Sequence, residues 1–256
     1  MRKKDFGPIE SDYEFFMDHG TEAECDAICY ARKLADFQVD RSLIRWLDFG
    51  CGSGGFIVRL LRKLNWSPER LKITLMEPVA HQLKFAVERV APFTQHPLTT
   101  WEHFPTGAGT VPEFDLAVSN HVLYYVEDLE KSVTTLRWLT KPGGKLMLAM
   151  AGLENGLVQL WKSGFDSLRE EIPFYICEDL EQVLVDQNYQ FSKTPSRYQL
   201  RFPDSEENRM KILRFLFGSH LDRMSQQLLF DEMGQWVVGN TFEMHTVSYL
   251  YEVECP

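Results

Sequence analysis

Apolar positions along the chain follow two rhythms. From Leu43 to Met150, short apolar runs alternate with stretches of helical period, which is how a parallel sheet with crossover helices reads. The runs predict strands near Arg45 to Phe49, Leu71 to Met76, Leu98 to His103, Phe114 to Val118 and Lys145 to Met150. Between them the spacing predicts helices over Phe56 to Leu64, Val79 to Val90 and Leu129 to Thr140. Lys141-Pro142-Gly143-Gly144 predicts a turn that ends the last of these helices and launches the fifth strand.

The flanks read differently. Ile9, Tyr13, Phe16 and Met17 fall at i, i+4, i+7 and i+8, one face of a helix that His19-Gly20 breaks. Thr21-Glu22-Ala23-Glu24 has the form of a capping box, so a second helix is expected from there to about Phe37. After Met150 the text is richer in aromatics and less regular. Leu157 to Leu168, Asp179 to Gln187, Glu206 to Phe217 and Leu221 to Met233 are expected as helices, with Tyr189 to Phe202 and Phe242 to Val253 extended. Those two late strands would form a closing hairpin at the sheet edge. The expected architecture is a doubly wound α/β sheet in one domain: residues 1–40 a helical lid, 41–150 the ligand-binding core, 151–256 insertions and closing strands.

A length of 256 residues suits one sizeable domain with decorations. The formal net charge of −10 argues against a nucleic-acid partner, whose affinity comes mainly from basic patches. Arg2, Lys3 and Lys4 are followed by Asp5, Gly7, Pro8 and Glu10 where a signal peptide would need an apolar run, and no stretch has the length of a membrane span. A cytoplasmic, monomeric protein with a small-molecule substrate and no membrane partner is expected. Cys25, Cys29, Cys51, Cys177 and Cys255 are scattered and odd in number, so neither a disulfide framework nor a zinc site is suggested.

Residues 46–55 read WLDFGCGSGG, a strand entering a helix through Gly50, Gly52, Gly54 and Gly55. Such a turn lets a ligand approach the backbone without Cβ obstruction. Gly50, Gly52 and Gly55 also satisfy the dinucleotide fingerprint. Two acids bear on the choice. Asp48 stands two residues before the first glycine, where it would favour a ligand with an ammonium group and repel a pyrophosphate. Glu77, ending the second strand, is placed to accept from both hydroxyls of a ribose under either reading.

DFGCGSGG, then MEP at 76–78, FDLAVSNHVLYYVEDL at 114–129 and KPGGKLML at 141–148 resemble class I S-adenosylmethionine-dependent methyltransferases. A closer likeness, to the histamine N-methyltransferase family, rests on HGTEAEC at 19–25, EPVAHQ at 77–82, LYYV at 123–126, LWK at 160–162, FYICEDL at 174–180 and HTVSYL at 245–250. The resemblance implies a seven-stranded sheet with an antiparallel last strand, an N-terminal helical lid, and methyl transfer to the nitrogen of a small amine. It implies cofactor roles for Gly52, Glu77 and Gln82, a substrate acid at Glu22, and aromatic walls at Tyr13, Phe16, Tyr124, Tyr125, Trp161 and Tyr175. Asp48, Gly50, Gly54, Asn120 and the segment Pro105 to Gly107, with Thr106 near the adenine, complete the expected cofactor set. This chain departs from the family at His121, where the histamine enzymes carry a glutamine, and at His245, where they carry an asparagine that Asn240 could also match.

Methyl transfer from a sulfonium to nitrogen needs a neutral lone pair and close approach, and positioning alone can supply roughly 7–11 kcal/mol. The protein must hold an N–H, remove a proton and exclude water. Glu22 and His121 are the expected catalytic groups, with His245 beside the acceptor. Tyr124, Tyr125 and Trp161 could enclose a cation through their ring faces. No metal-ligand spacing is present among the histidines. Alternatives left open are an O- or carboxyl-methyltransferase, a nicotinamide-dependent oxidoreductase, and a cofactor-binding module without catalysis.

Overall fold

Residues 7–37, 42–104 and 113–255 are described by the structure, a computed structural model. In chain order they form α1 (Glu10–His19), α2 (Glu22–Lys33), β1 (Ile44–Phe49), α3 (Gly55–Leu64), β2 (Leu71–Met76), α4 (Ala80–Val90), β3 (Thr99–Trp101), β4 (Phe114–Asn120), α5 (Leu129–Leu139) and β5 (Thr140–Met150). There follow α6 (Gly156–Ser167), α7 (Cys177–Asp186), β6 (Phe191–Pro203), α8 (Glu206–Phe217), α9 (Gln226–Gly234), β7 (Val237–Val238) and β8 (Thr241–Glu254). The sheet runs β3-β2-β1-β4-β5-β8-β6, with β7 paired to β8 outside that path. β1 to β5 are parallel, and β8 is antiparallel to both β5 and β6. The doubly wound sheet with antiparallel closing strands is thus present. Its eighth strand, β7, is two residues long and leaves no period to read.

Period-two alternation gives the sheet two apolar faces. Ile44 and Trp46 of β1, Met147 and Ala149 of β5 and Leu250 of β8 pack with α2, α3 and α4. Leu47, Phe49, Leu146, Leu148, Met150 and Tyr251 pack on the other side with α5 to α9. The strand order reverses between β1 and β4, and in open α/β sheets that reversal opens a crevice at the carboxyl ends of the strands.

Three local expectations are corrected. Thr21 does not cap α2 with its side chain; Thr21 Oγ1 accepts from Gln199 N–H at 2.9 Å on β6, and Glu24 pairs with Lys63 of α3. A free sheet edge offered the threonine a better partner than its own helix. Lys141–Gly144 is not a separate turn but the start of β5, which shifts register between Phe114 and Leu116 with Gly143 at φ +72°. The expected helix over Leu221–Met233 is divided into a 3-10 segment, Gly218–Arg223, and α9, whose start is capped by Ser225 Oγ.

The junction of α1 and α2 closes the β6 edge, where Thr21 N–H donates to Gln199 O at 2.8 Å. α1 is held down by apolar and ionic contacts. Phe16 is buried and stacks on Phe215 of α8 at 4.7 Å, and Arg214 clamps the buried Asp12 with Nε–Oδ2 at 2.8 Å and Nη2–Oδ1 at 2.7 Å. Among the described residues no helix is long and apolar enough to cross a membrane.

Replacing Arg214 with alanine leaves the Asp12 carboxylate buried without its cation. Loss of a fully buried pair costs about 3–5 kcal/mol, but this guanidinium is 42% exposed, so about 1–2 kcal/mol is expected. Thermal unfolding checks this, with a fall in Tm of roughly 2–8 °C.

Candidate functional site

The crevice has two ends, one built by the glycine turn and one by α2. At the first, β1 ends at Phe49 and the chain turns through Gly50 and Gly52, both at positive φ, into α3. These two glycines have different reasons to be glycine. A Cβ on Gly50 would stand 2.4 Å from Val122, so close packing alone demands its absence. A Cβ on Gly52 would meet nothing within 4 Å, so this glycine opens on free space and presents bare backbone to it. Gly54 is packing-limited like Gly50, against Ala86 of α4.

Acceptor groups surround that space. Glu77, just past β2, receives Gly52 N–H on Oε2 at 3.1 Å and Val79 N–H on Oε1 at 3.0 Å; burial raises its proton affinity and those bonds oppose the rise. Asp48 is 3% exposed, and burial followed by the Glu77 charge pushes its carboxyl up to about 7. Asn120 Oδ1 at the end of β4 is buried without a partner among the described residues. A buried acceptor without a donor is costly, so Asn120 Oδ1 is a place that a ligand bringing an N–H or O–H group would complete. Gln82 lies on the exposed side of α4, where Nε2 donates to Glu10 Oε1 of α1 at 3.0 Å. Thr106 and its neighbours Pro105 and Gly107 lie outside the described residues.

The second end starts from the helical period of α2. Glu22, Asp26 and Tyr30 fall at i, i+4 and i+8 and turn one face inward, Asp26 and Tyr30 being fully buried. His121 comes to them from the end of β4. Its backbone is left-handed at φ +57°, uncommon outside glycine, and its N–H donates to Ala149 O at 3.0 Å. Nε2 lies 2.8 Å from Asp26 Oδ2 and 3.6 Å from Glu22 Oε1, while Nδ1 lies 2.8 Å from Tyr124 Oη. Burial would lower the proton affinity of His121, but Glu22 and Asp26 outweigh it and raise the imidazole to about 9. It is therefore a cation near neutral pH, donating from both nitrogens.

Further hydrogen bonds tie this cluster into the fold. Tyr124 Oη also accepts from Ala151 N–H at 2.6 Å, and Ser248 Oγ of β8 donates to Asp26 Oδ1 at 3.4 Å. Tyr198 of β6 is bonded to Glu22 and accepts from Asn155 Nδ2 at 3.0 Å. Burial raises the proton affinity of Glu22, against the pull of His121 and with the push of Asp26. Tyr13 joins the two ends. Its hydroxyl is pushed up to about 12, by burial first and then by Glu22 and Glu77, so it lies within electrostatic reach of both carboxyls.

The structure sorts the expected aromatics into two layers. The Tyr13, Tyr124 and Tyr125 hydroxyls all feel Glu22. Behind them, Trp161 is buried, donates from Nε1 to Leu216 O at 2.9 Å and meets Tyr124 edge-on at 5.7 Å, while Phe16 lies in the α1–α8 packing. Tyr175 is half-buried, its N–H on Tyr124 O at 3.2 Å. His245 is 70% exposed, bonded to Glu243 of its own strand at 2.9 Å, and lines a surface cavity of about 480 Å³ with Thr21, Glu154, Arg197 and Tyr198. Asn240 is exposed in the turn before β8. Sequence reasoning missed Asp26 and Tyr198. The signal for Asp26 was an acid four residues after Glu22 on the buried face of a helix; Tyr198 had none, because its neighbour Glu22 is 176 residues away.

All five cysteines are free, and among the described residues no cluster of His, Cys, Asp and Glu is arranged to hold a metal ion.

Comparison with known proteins adds a family. A model described as a methyltransferase domain matches residues 19–194. Histamine N-methyltransferase B of Xenopus laevis is 27% identical over 60% of this chain, and the match spans only 58% of that relative. Histamine N-methyltransferase of Xenopus tropicalis is 24% identical over 81% of this chain and 78% of its own length. The fold is similar to the crystal structure of a candidate methyltransferase from Bacillus halodurans C-125, with a TM-score of 0.58 at 13% identity, covering 88% of this chain and 98% of that one.

A resident cation at His121 has a sign. Its folded-state affinity lies above the ordinary 6.5, so the stabilisation it brings is complete below about 6.5 and is lost as pH rises through about 9. Imidazole NMR should place the His121 midpoint near 9, with stability falling over that window.

Proposed function

The chain belongs to the methyltransferase-domain family, and on that premise we propose that it transfers a methyl group from S-adenosylmethionine to the nitrogen of a small aromatic or heteroaromatic amine. The observation that carries the reading is the division of the crevice. One end offers buried acceptors around bare backbone, and the other offers a buried carboxyl among tyrosine hydroxyls. That the two Xenopus relatives are histamine N-methyltransferases supports an amine as acceptor.

S-adenosylmethionine would supply an electrophilic methyl group on a sulfonium. Asp48 would hold its ammonium, Glu77 its ribose hydroxyls, Gly52 would admit it to the backbone, and Asn120 Oδ1 would take a donor. Asp48 disfavours a pyrophosphate at this turn, and so a nicotinamide dinucleotide, while Glu77 suits the ribose of either.

The remaining work falls to residues of the acceptor end. Glu22 accepts an N–H of the amine, and its raised proton affinity suits it to take the proton that must leave before or after transfer. Asn155 donates to Tyr198 Oη, which leaves the Tyr198 hydroxyl proton for Glu22. His121, already protonated near neutral pH, orients neighbours and is not the base. Tyr13, Tyr124 and Tyr125 screen the reaction from water and present ring faces to a cationic amine.

Binding of S-adenosylhomocysteine should tighten as pH rises from 6 to 8, because Asp48 must shed its proton to hold an ammonium. Up to about tenfold per pH unit is expected below 7, and Asp48→Asn should abolish the dependence, as calorimetry at several pH values would show. Glu22→Gln separates the ends: S-adenosylhomocysteine affinity stays within about twofold of wild type while kcat on the amine acceptor falls about 10²–10⁴-fold. Equal loss of both would assign Glu22 to folding.

A further inference from the structure

Asp26 has no task in the reading above, and its placement asks for one. A carboxylate 2% exposed on the inner face of α2 is tolerated only with strong partners, and it has two, Ser248 Oγ and His121 Nε2. The histidine is held at its other nitrogen as well. Tyr124 Oη lies 2.8 Å from Nδ1 and also accepts from Ala151 N–H. A phenol oxygen has two lone pairs. When Nδ1 carries a proton both lone pairs are filled, and the hydroxyl proton of Tyr124 must go to a third partner. When Nδ1 is bare, the same proton turns back to it.

We propose that Asp26 is a positioning residue of the acceptor end: by accepting the Nε2 proton it keeps His121 doubly protonated, so that Nδ1–H fills Tyr124 Oη and the Tyr124 hydroxyl proton is presented to the acceptor molecule. This rests on the reading of that end as the acceptor site. It also narrows the substrate. The molecule carries, besides the nitrogen whose N–H meets Glu22, a second atom with a free lone pair, such as a ring nitrogen or a hydroxyl, carbonyl or ether oxygen, to receive the tyrosine proton. The attacking nitrogen itself cannot be that partner, since its lone pair is committed to the methyl group.

The groups around the imidazole all bear on its charge. α2 contributes Glu22 and Asp26, the turn after β4 contributes Tyr124, β6 brings Tyr198 through Glu22, and β8 brings Ser248 through Asp26. Asp26 is the nearest of the acids, 2.8 Å from Nε2 against 3.6 Å for Glu22.

The test is a histidine NMR titration of the full chain, wild type against Asp26→Asn, with pH profiles of kcat/KM on a heteroaromatic acceptor whose own nitrogen titrates well below 8. The asparagine keeps the shape and removes the charge. Its His121 midpoint should fall by at least one pH unit, about tenfold in proton affinity, and the alkaline limb of the profile should move down with it. Asp26→Glu should restore both toward wild type, and S-adenosylhomocysteine affinity should stay within about twofold throughout, since Asp26 lies outside the cofactor end. If Asp26→Asn does not fold, Tyr124→Phe decides: with Asp26 intact it should flatten the alkaline limb. An unmoved His121 midpoint in Asp26→Asn, a midpoint that moves while the limb stays, or an alkaline limb retained in Tyr124→Phe overturns the proposal. The titration needs no turnover, so failure to methylate any amine would count against the functional reading, while an unmoved His121 midpoint would still overturn the role of Asp26.

Discussion

A buried imidazolium between two carboxylates is the contact on which the second end of the crevice depends. His121 could not be held at φ +57° by its own preference, nor could Asp26 be sealed from water alone. Each makes the other tolerable. Their bond at 2.8 Å ties α2 to the end of β4 and thereby sets Glu22, one turn earlier on the same helix, against the crevice. The rest of the second end follows: Tyr124 is fixed by His121 and the Ala151 amide, and Tyr198 by Glu22 and Asn155.

The two ends of the crevice use opposite devices. At the glycine end the fold leaves Asn120 Oδ1 without a donor and buries Asp48 beside the Glu77 charge, and that incompleteness is the case for a ligand. Around His121 the polar groups of Asp26, Tyr124 and Tyr198 are paired within the protein, and what remains to be recognised is a small set of protons and one carboxyl. A generic methyl donor and a particular methyl acceptor would call for that difference. On the proposed reading the first site would have only to fit one molecule shared by many enzymes, whereas the second would have to discriminate, and buried paired groups discriminate well because a wrong ligand leaves them unmatched.

Much of the fold was legible because its signals are local. The alternation from Leu43 to Met150 set out β1 to β5 and their helices to within a few residues, and WLDFGCGSGG located the turn at the end of β1. Failures came where a distant partner outweighed a local one. Thr21 carries the letters of a capping box, but the β6 edge lies beside it and its hydroxyl goes there. The glycines of the turn read alike in sequence, and only packing tells Gly50, pressed by Val122, from Gly52, open to the crevice. Asp26 was within reach of the helical period, though an acid on a buried face is easily passed over until its counter-charge is seen. His245 stands exposed on β8, beside a surface cavity and bonded to Glu243, a placement that no reading of HTVSYL could foresee.

The most direct test of the central claim is to supply methyl-labelled S-adenosylmethionine with a panel of small amines, imidazoles, phenols and carboxylic acids, and to locate the label by mass spectrometry. The account predicts label on the nitrogen of at least one heteroaromatic amine that also offers a second lone-pair atom. Label confined to oxygen or carboxyl acceptors, or bound S-adenosylmethionine with no transfer to any acceptor, would contradict it.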